Sequence, residues 1–305
     1  MSVSRVTMSP NGPEVSRFIA GYWRLNSWGM STQQILAFIQ QHLELGITTV
    51  DHAMVYRSEQ AFGQALALQP SLRENLEIVS KCGIRPAGFG PLGAQAINHY
   101  DSSKGAIVES VDASLSNLQT EYLDLLLIHR PDFLMNPEEI AEIFLQLKQS
   151  GKVRYFGVSN FNVAQMDLLQ SAVSKLIPEG LVSNQIEFSP YNLHALYDGV
   201  LEQCHRYKIT PMLWSCLAGG KLLSPEDDKG ELLKQNLQIV ADELNIEDIE
   251  AVAYAWVMTP PHNSLPLLGT SKIANMRKAI AAEQISLSRE QWYRIWEAST
   301  GHPVP

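Results

Sequence analysis

The strongest constraint on the fold is an alternation that runs the length of the chain. Short β-rich apolar runs are separated by longer segments with the three-and-four spacing of an amphipathic helix. Strands are expected at 18–25, 47–51, 76–81, 123–129, 153–159, 181–187, 210–215 and 264–268. Several are nearly unbroken in apolar character, Leu123-Asp-Leu-Leu-Leu-Ile most clearly, as strands covered on both faces require. The intervening segments carry helix starts. Ser31 with Gln34 forms a capping box ahead of Ile35, Phe38, Ile39 and Leu43. Asn136-Pro137-Glu138-Glu139 supplies a cap, a first-turn proline and acids before Ile140, Ile143, Phe144 and Leu147. Residues 101–103 precede Ile107, Val111, Leu115 and Leu118, and Asn162 precedes Val163, Met166 and Leu169. Ser288 with Gln291 opens a helix beyond the last strand.

Strand followed by helix, repeated, calls for parallel strands joined by crossovers. Eight strands match a closed (β/α)8 barrel. The expected fold is therefore α/β: one TIM barrel domain over residues 1–305, with an extra C-terminal helix. A chain of 305 residues has room for two domains, but no linker or shift of composition divides it. An open doubly wound sheet is the competing architecture. Its glycine fingerprint is absent after the first strand, and Gly88-Phe89-Gly90 falls in a Gly/Pro loop after the third.

Charge and cysteine content narrow the partners. Lys plus Arg number 23 and Asp plus Glu 32, a net charge of −9 that argues against general nucleic-acid binding. Cys82, Cys204 and Cys216 are too few and too scattered for a disulfide frame or a zinc site. No apolar run is long enough to span a bilayer, and the first residues lack the apolar core of a secretory signal. The expectation is a soluble, reduced, cytoplasmic protein acting on a small molecule; a monomer fits, and the oligomeric state is left open.

In such a barrel the active site lies at the C-terminal strand ends. Those ends carry Asp51 with Tyr56 soon after, then Lys81, His129, Ser159-Asn160, Gln185 and Trp214-Ser215. Each residue alone has an ordinary reading: a helix cap for Asp51, a half-buried aromatic for Tyr56, a surface lysine for Lys81, a hydrogen-bonded histidine for His129. Four such groups converging on one rim are much less ordinary.

Thr48-Thr-Val-Asp51-His-Ala-Met-Val-Tyr56, Ser80-Lys81, Leu125-Leu-Leu-Ile-His129-Arg-Pro-Asp, Gly157-Val-Ser159-Asn160-Phe and Asn184-Gln185-Ile-Glu-Phe-Ser-Pro together resemble the aldo-keto reductase family, in order from Gly21 to about Ile280. The resemblance is closest to bacterial oxidoreductase members. It implies a barrel that uses a nicotinamide cofactor, usually NADPH, without a Rossmann fold, and it matches Asp51, Tyr56, Lys81 and His129 to a catalytic tetrad. Carbonyl reduction needs a proton donor at the oxygen. A phenol with a pKa of about 10 exchanges its proton poorly at neutral pH. A lysine ammonium close by is expected to lower that value. Asp51 is expected to hold Lys81, and His129 to orient the substrate oxygen.

The resemblance also assigns Ser159, Asn160 and Gln185 to the nicotinamide carboxamide, and Trp214 to the aromatic stacked on the ring, a position more often tyrosine. Ser215, Leu217 and the Ala218-Gly219-Gly220-Lys221 loop match the segment over the pyrophosphate, where glycines let backbone N–H groups approach phosphate oxygens. Gly269, Thr270, Ser271 and Lys272 match the site of the NADP 2′-phosphate, near a helix start. The usual arginine there is Asn275, which lacks the guanidinium fork. A small basic pocket is expected around Lys221 and Lys272.

Trp23, Trp28 and Tyr191 are substrate-side candidates, with Arg85, Pro86, Phe89 and Tyr100 in the loop after the third strand. The leading function is NADPH-dependent reduction of aldehydes or ketones. A nucleotide-binding sensor on the same fold is the alternative. A Schiff-base aldolase on Lys81 leaves Tyr56 and Gln185 without roles, and His52, His129 and Asp51 make a poor metal-ligand set.

Overall fold

The computed structural model describes residues 3–88 and 97–305. At its centre eight parallel strands close into a barrel: β1 (Ile19–Gly21), β2 (Thr49–Asp51), β3 (Glu77–Cys82), β4 (Leu123–Ile128), β5 (Val153–Ser159), β6 (Leu181–Glu187), β7 (Met212–Trp214) and β8 (Leu265–Leu268). Closure comes through β8 and β1, where Leu267 faces Ile19 and Leu268 faces Ala20. The first strand is shorter than its apolar run. Tyr22 still donates its N–H to the Asp51 carbonyl, but the chain then turns through a 3-10 segment at Leu25–Ser27.

The helices are α1 (Thr32–Glu44), α2 (Glu59–Leu66), α3 (Lys104–Leu118), α4 (Pro137–Gln149), α5 (Val163–Val173), α6 (Val200–Tyr207), α7 (Asp228–Glu243), α8 (Ile249–Met258), α9 (Ile273–Ile280) and α10 (Arg289–Thr300). Their starts are where the capping residues place them. Ser31, Asn162 and Ser288 each form a reciprocal capping box, and Ser103 and Asn136 each accept backbone N–H groups of the first turn.

Two helices occupy the β7–β8 connection, so a second helix joins α10 outside the eightfold repeat. That helix, α7, packs along α10. The tail is held to the barrel wall by a tryptophan pair. Trp256 of α8 and Trp292 of α10 stack with centroids 4.7 Å apart, and each indole N–H donates to the other's carbonyl, at 2.9 and 3.1 Å.

Below β1 an antiparallel ribbon, Arg5–Thr7 with Glu14–Ser16, lies across the N-terminal end of the barrel. Its Val6, Met8 and Val15 pack with Ile19, Val79, Leu125, Leu127, Val182, Met212 and Leu265 into an apolar floor. The Met8 carbonyl accepts from Thr210 N–H at 2.7 Å, tying ribbon to barrel. With that end filled by apolar side chains, polar groups inside the barrel gather at the C-terminal mouth. The connection after β3 carries another ribbon, Ile84–Arg85 with His99–Tyr100; Phe89 and Gly90 lie outside the described residues. Among the described residues no helix is long and apolar enough to cross a membrane.

Candidate active site

Four strand ends and one short turn build the polar cluster. Asp51 closes β2, Lys81 lies near the end of β3, His129 follows β4, and Gln185 lies on β6. Tyr56 ends the 3-10 turn Met54–Tyr56. Gln185 reaches the interior because β6 carries an irregularity. Three steps of β6, from Leu181 to Asn184, match two of β5, from Phe156 to Val158. A regular strand would send Val182 and Gln185 to opposite faces, but the extra residue lets Gln185 turn inward above Val182. There its Nε2 donates to Asp51 Oδ1 at 2.8 Å.

Lys81 is buried and fully engaged. Its Nζ donates to Asp51 Oδ2 at 2.7 Å, to the His52 carbonyl at 2.8 Å and to Tyr56 Oη at 3.3 Å. Burial works against the ammonium, but the charges of Asp51 and Tyr56 outweigh it and hold the lysine pKa above its ordinary value. Lys81 is therefore a cation at neutral pH, and Asp51 is its counter-ion, with both carboxylate oxygens occupied.

Tyr56 behaves differently from the expectation. Burial pushes the phenol above 10, and the pull of Lys81 in the other direction is not enough to reverse it. Tyr56 stays protonated through neutral pH. His129 Nε2 stands 3.5 Å from Tyr56 Oη, at the outer limit of a hydrogen bond. Burial, and then the charge of Lys81, push the imidazole pKa down to about 2, so His129 is neutral.

A second set of side chains adjoins this one. Ser159 Oγ donates to the Gln185 carbonyl at 3.0 Å, Asn160 Nδ2 donates to Ser159 Oγ at 2.8 Å, and Trp214 Nε1 donates to Asn160 Oδ1 at 3.2 Å. Four of the eight non-glycine residues with left-handed φ among the described residues lie near this rim: Arg57, Asn160, Ser215 and Ala218, at 57°, 59°, 60° and 52°. Such residues cost of order 1–3 kcal/mol each and gather at functional sites. Gly219 and Gly220, with φ 68° and 107°, continue the turn beside half-buried Leu217.

Past β8, Gly269 leads to Thr270, whose Oγ1 accepts from Lys272 N–H at 3.2 Å and from Asn275 Nδ2 at 3.1 Å. That leaves the threonine's own hydroxyl proton to donate outward. Ser271 lies half-buried alongside, and Lys272 is the exposed N-cap of α9. Lys221 is not a free cation, because Glu226 stands 3.5 Å from its ammonium. Of the two lysines expected to form a basic pocket, only Lys272 lacks an ion pair among the described residues.

The substrate candidates separate. Trp23 is 65% exposed and its ring lies 6.4 Å from that of Tyr56, at the mouth. Trp28 packs instead against Tyr22 and Phe38 beneath the first loop. Tyr191 donates its hydroxyl to Asp227, the N-cap of α7, and lies under Lys221 and Lys229. Arg85 is buried and paired with Glu109. Cys82 and Cys216 are buried, and their thiols are pushed up to about 12, far from the thiolate range.

Three residues at the site have no role in the expectations from sequence, and a fourth, His52, enters them only as a poor metal ligand. His52 lends its carbonyl to Lys81 while its ring stacks on Tyr22 at 5.0 Å. Glu59 is buried and accepts from Ser80 Oγ at 2.6 Å, beside Lys81; its place in the first turn of α2 makes it read as a helix-start acid. Arg24 Nη2 donates to the Gly269 carbonyl at 2.8 Å, joining the first loop to the last. Arg130 directly follows His129, and the only hint of it in the sequence is a charge placed next to a strand-end histidine.

A closed parallel barrel with a buried ion pair, a phenol and an imidazole at its C-terminal mouth defines a (β/α)8-barrel enzyme. Comparison with known proteins narrows the class. The family model for the "Aldo/keto reductase family" matches residues 17–300, and the chain belongs to that family. Oxidoreductase YdhF of Escherichia coli (strain K12) is 49% identical, over 99% of this chain and 100% of its own length. A 6-dehydroglucose reductase of Agrobacterium fabrum is 38% identical, over 95% of this chain and 96% of its own. Among solved structures, glycerol dehydrogenase AKR11B4 from Gluconobacter oxydans shares the fold, with a TM-score of 0.81 at 23% identity, over 100% of this chain and 98% of that one. The protein is thus an oxidoreductase of the family that acts on small-molecule carbonyls with nicotinamide cofactors.

Proposed function

We propose that the protein reduces aldehyde or ketone carbonyls to alcohols with NADPH, and that Tyr56 supplies the proton. The observation that carries this reading is a protonated, buried phenol whose Oη lies 3.3 Å from the Lys81 ammonium and 3.5 Å from a neutral imidazole. The nicotinamide, when bound, supplies hydride to the carbonyl carbon. The chain's own residues handle the oxygen. His129, neutral, offers Nε2–H to orient it, and Tyr56 gives up its proton. The fixed charge of Lys81 stabilises the phenolate left behind, and Asp51 keeps that charge in place. The relative named as a 6-dehydroglucose reductase supports the reductive direction.

The residues present fit the cofactor. Ser159, Asn160 and the free amide oxygen of Gln185 offer donors and acceptors for a carboxamide, with Trp214 positioned by Asn160 beside them. Ser215, Leu217 and Gly219 form the strained turn toward phosphate, with Lys221 at its end. Gly269, Thr270, Ser271, Lys272 and Asn275 form the group for a 2′-phosphate. The free hydroxyl proton of Thr270 and Lys272, which has no ion pair among the described residues, favour NADPH over NADH.

Tyr56→Phe is expected to lower kcat by about 10²–10⁴ while NADPH still quenches tryptophan fluorescence; full activity in this variant contradicts the assignment. Lys272→Ala is expected to weaken NADPH about tenfold and NADH hardly at all, as loss of one charge-assisted contact requires. Tight NADPH binding without turnover on any aldehyde, ketone or quinone supports a sensor instead.

A further inference from the structure

We infer that Arg130 makes this mouth selective for carbonyl substrates that carry an anionic group, a carboxylate or a phosphate, near the carbonyl. The inference rests on the carbonyl-reductase reading above and adds a substrate class to it. The charges around Tyr56 explain why. Lys81 and Asp51 cancel, with both oxygens of Asp51 taken by Lys81 and Gln185. His129 is neutral. Besides Lys81, the charge that acts on both Tyr56 and His129 is the guanidinium of Arg130, which is half-buried and immediately follows His129, whereas Arg57, next to Tyr56 in the chain, is exposed.

Among the described residues no carboxylate pairs with it. The nearest in sequence, Asp132, is buried and spends both oxygens on backbone donors, Oδ2 on Ser102 N–H at 2.8 Å and Oδ1 on Leu134 N–H at 2.9 Å. Among the described residues Arg130 has no ion pair, and residues 89–96, Phe-Gly-Pro-Leu-Gly-Ala-Gln-Ala, contain no acid that could supply one. A half-buried guanidinium without an ion pair keeps its donors free for the two oxygens of a carboxylate or phosphate, which its planar fork matches. This holds in a protein whose net charge of −9 leaves many acids available for pairing elsewhere. The positive field of Arg130 is felt at both Tyr56 and His129, the two groups that would hold the carbonyl oxygen. The same loop exposes Phe133 and Leu134, at 87% and 90%, and Trp23 stands across from Tyr56, so an apolar carbon skeleton suits the remainder of the substrate.

Two matched pairs test this with the full-length protein and NADPH: benzoylformate against its methyl ester, and glyceraldehyde 3-phosphate against glyceraldehyde. The first asks for a carboxylate, the second for a phosphate. In at least one pair the anionic member is expected to have kcat/KM at least about tenfold higher, and raising the salt to about 0.3 M is expected to shrink that preference. Arg130→Gln is expected to lower the anionic-to-neutral ratio about 10- to 100-fold, the span of one hydrogen bond to a charged group. Lys175→Gln, an exposed charge beyond the end of α5, is expected to leave the ratio alone. Should Arg130→Gln fail to fold, the salt series on the unaltered protein decides. Reduction of the neutral members with no anionic preference, or a preference that survives Arg130→Gln, overturns the inference and leaves the reductase reading standing. Turnover of neither member of either pair overturns both.

Discussion

Asp51 and Lys81 are the residues on which the site depends most. The pair is buried, and breaking a buried pair leaves an uncompensated charge, at a cost of about 3–5 kcal/mol. Asp51→Asn is expected to lose stability of that size in urea unfolding, and to lose activity as well because Lys81 then lacks its anchor. The phenol predicts a pH profile. Because Tyr56 titrates above its ordinary value, the proton donor is present at neutral and mildly alkaline pH. The rate of carbonyl reduction, measured as kcat/KM against pH, is expected to be flat from neutrality and to fall only as pH passes above about 10, where the phenol loses its proton. A fall centred near neutrality would mean that Lys81 had won over burial.

At the scale of elements, helix starts were the most legible part of the chain. Capping depends on residues three apart, and Ser31, Asn136 and Ser288 declare themselves locally. The short strand β1, the irregularity in β6 and the helix α7 did not. Each depends on partners distant in sequence: Asp51 for Tyr22, β5 for β6, and α10 for α7. The contact of α2 with α3 is similarly non-local. A Cβ on Gly63 would lie 2.1 Å from the Asn117 carbonyl oxygen. Gly63→Ala in a helix interior ordinarily gains about 1 kcal/mol. Here it is expected to destabilise by about 1–3 kcal/mol as overpacking drives the helices apart, read as a lowered Tm.

The molecule as a whole is expected to be sensitive to acid. His42 and His52 are buried and neutral, with pKa values pushed down by burial to about 4 and about 3. The unfolded chain binds their protons near the ordinary 6.5, and the folded chain refuses them until the lower values. Their stabilising contribution is complete above 6.5 and is lost as pH falls toward 4 and 3, at up to about 1.4 kcal/mol per pH unit for each histidine. His52→Leu removes a ring whose nitrogens have no hydrogen-bond partner among the described residues. It is expected to reduce the slope of stability against pH below 6.5 by about one proton, measured by urea titration at several pH values.

Strand–helix alternation was enough to dictate a parallel barrel, because apolar periodicity and capping act within a few residues. It was also enough to place Asp51, Lys81 and His129 at strand ends, since the polar residue that stops an apolar run is visible in the run itself, whereas the inward turn of Gln185 came from the irregularity in β6. Tertiary structure alone decided how those groups share their charges. Whether Lys81 could pull Tyr56 below its ordinary pKa, whether Lys221 was free, and whether Trp28 and Tyr191 faced the mouth all depended on burial and on partners far away in sequence. Arg130 belongs to the same group: that it has no ion pair among the described residues is recognised only when Asp132, two residues on, is seen to be taken.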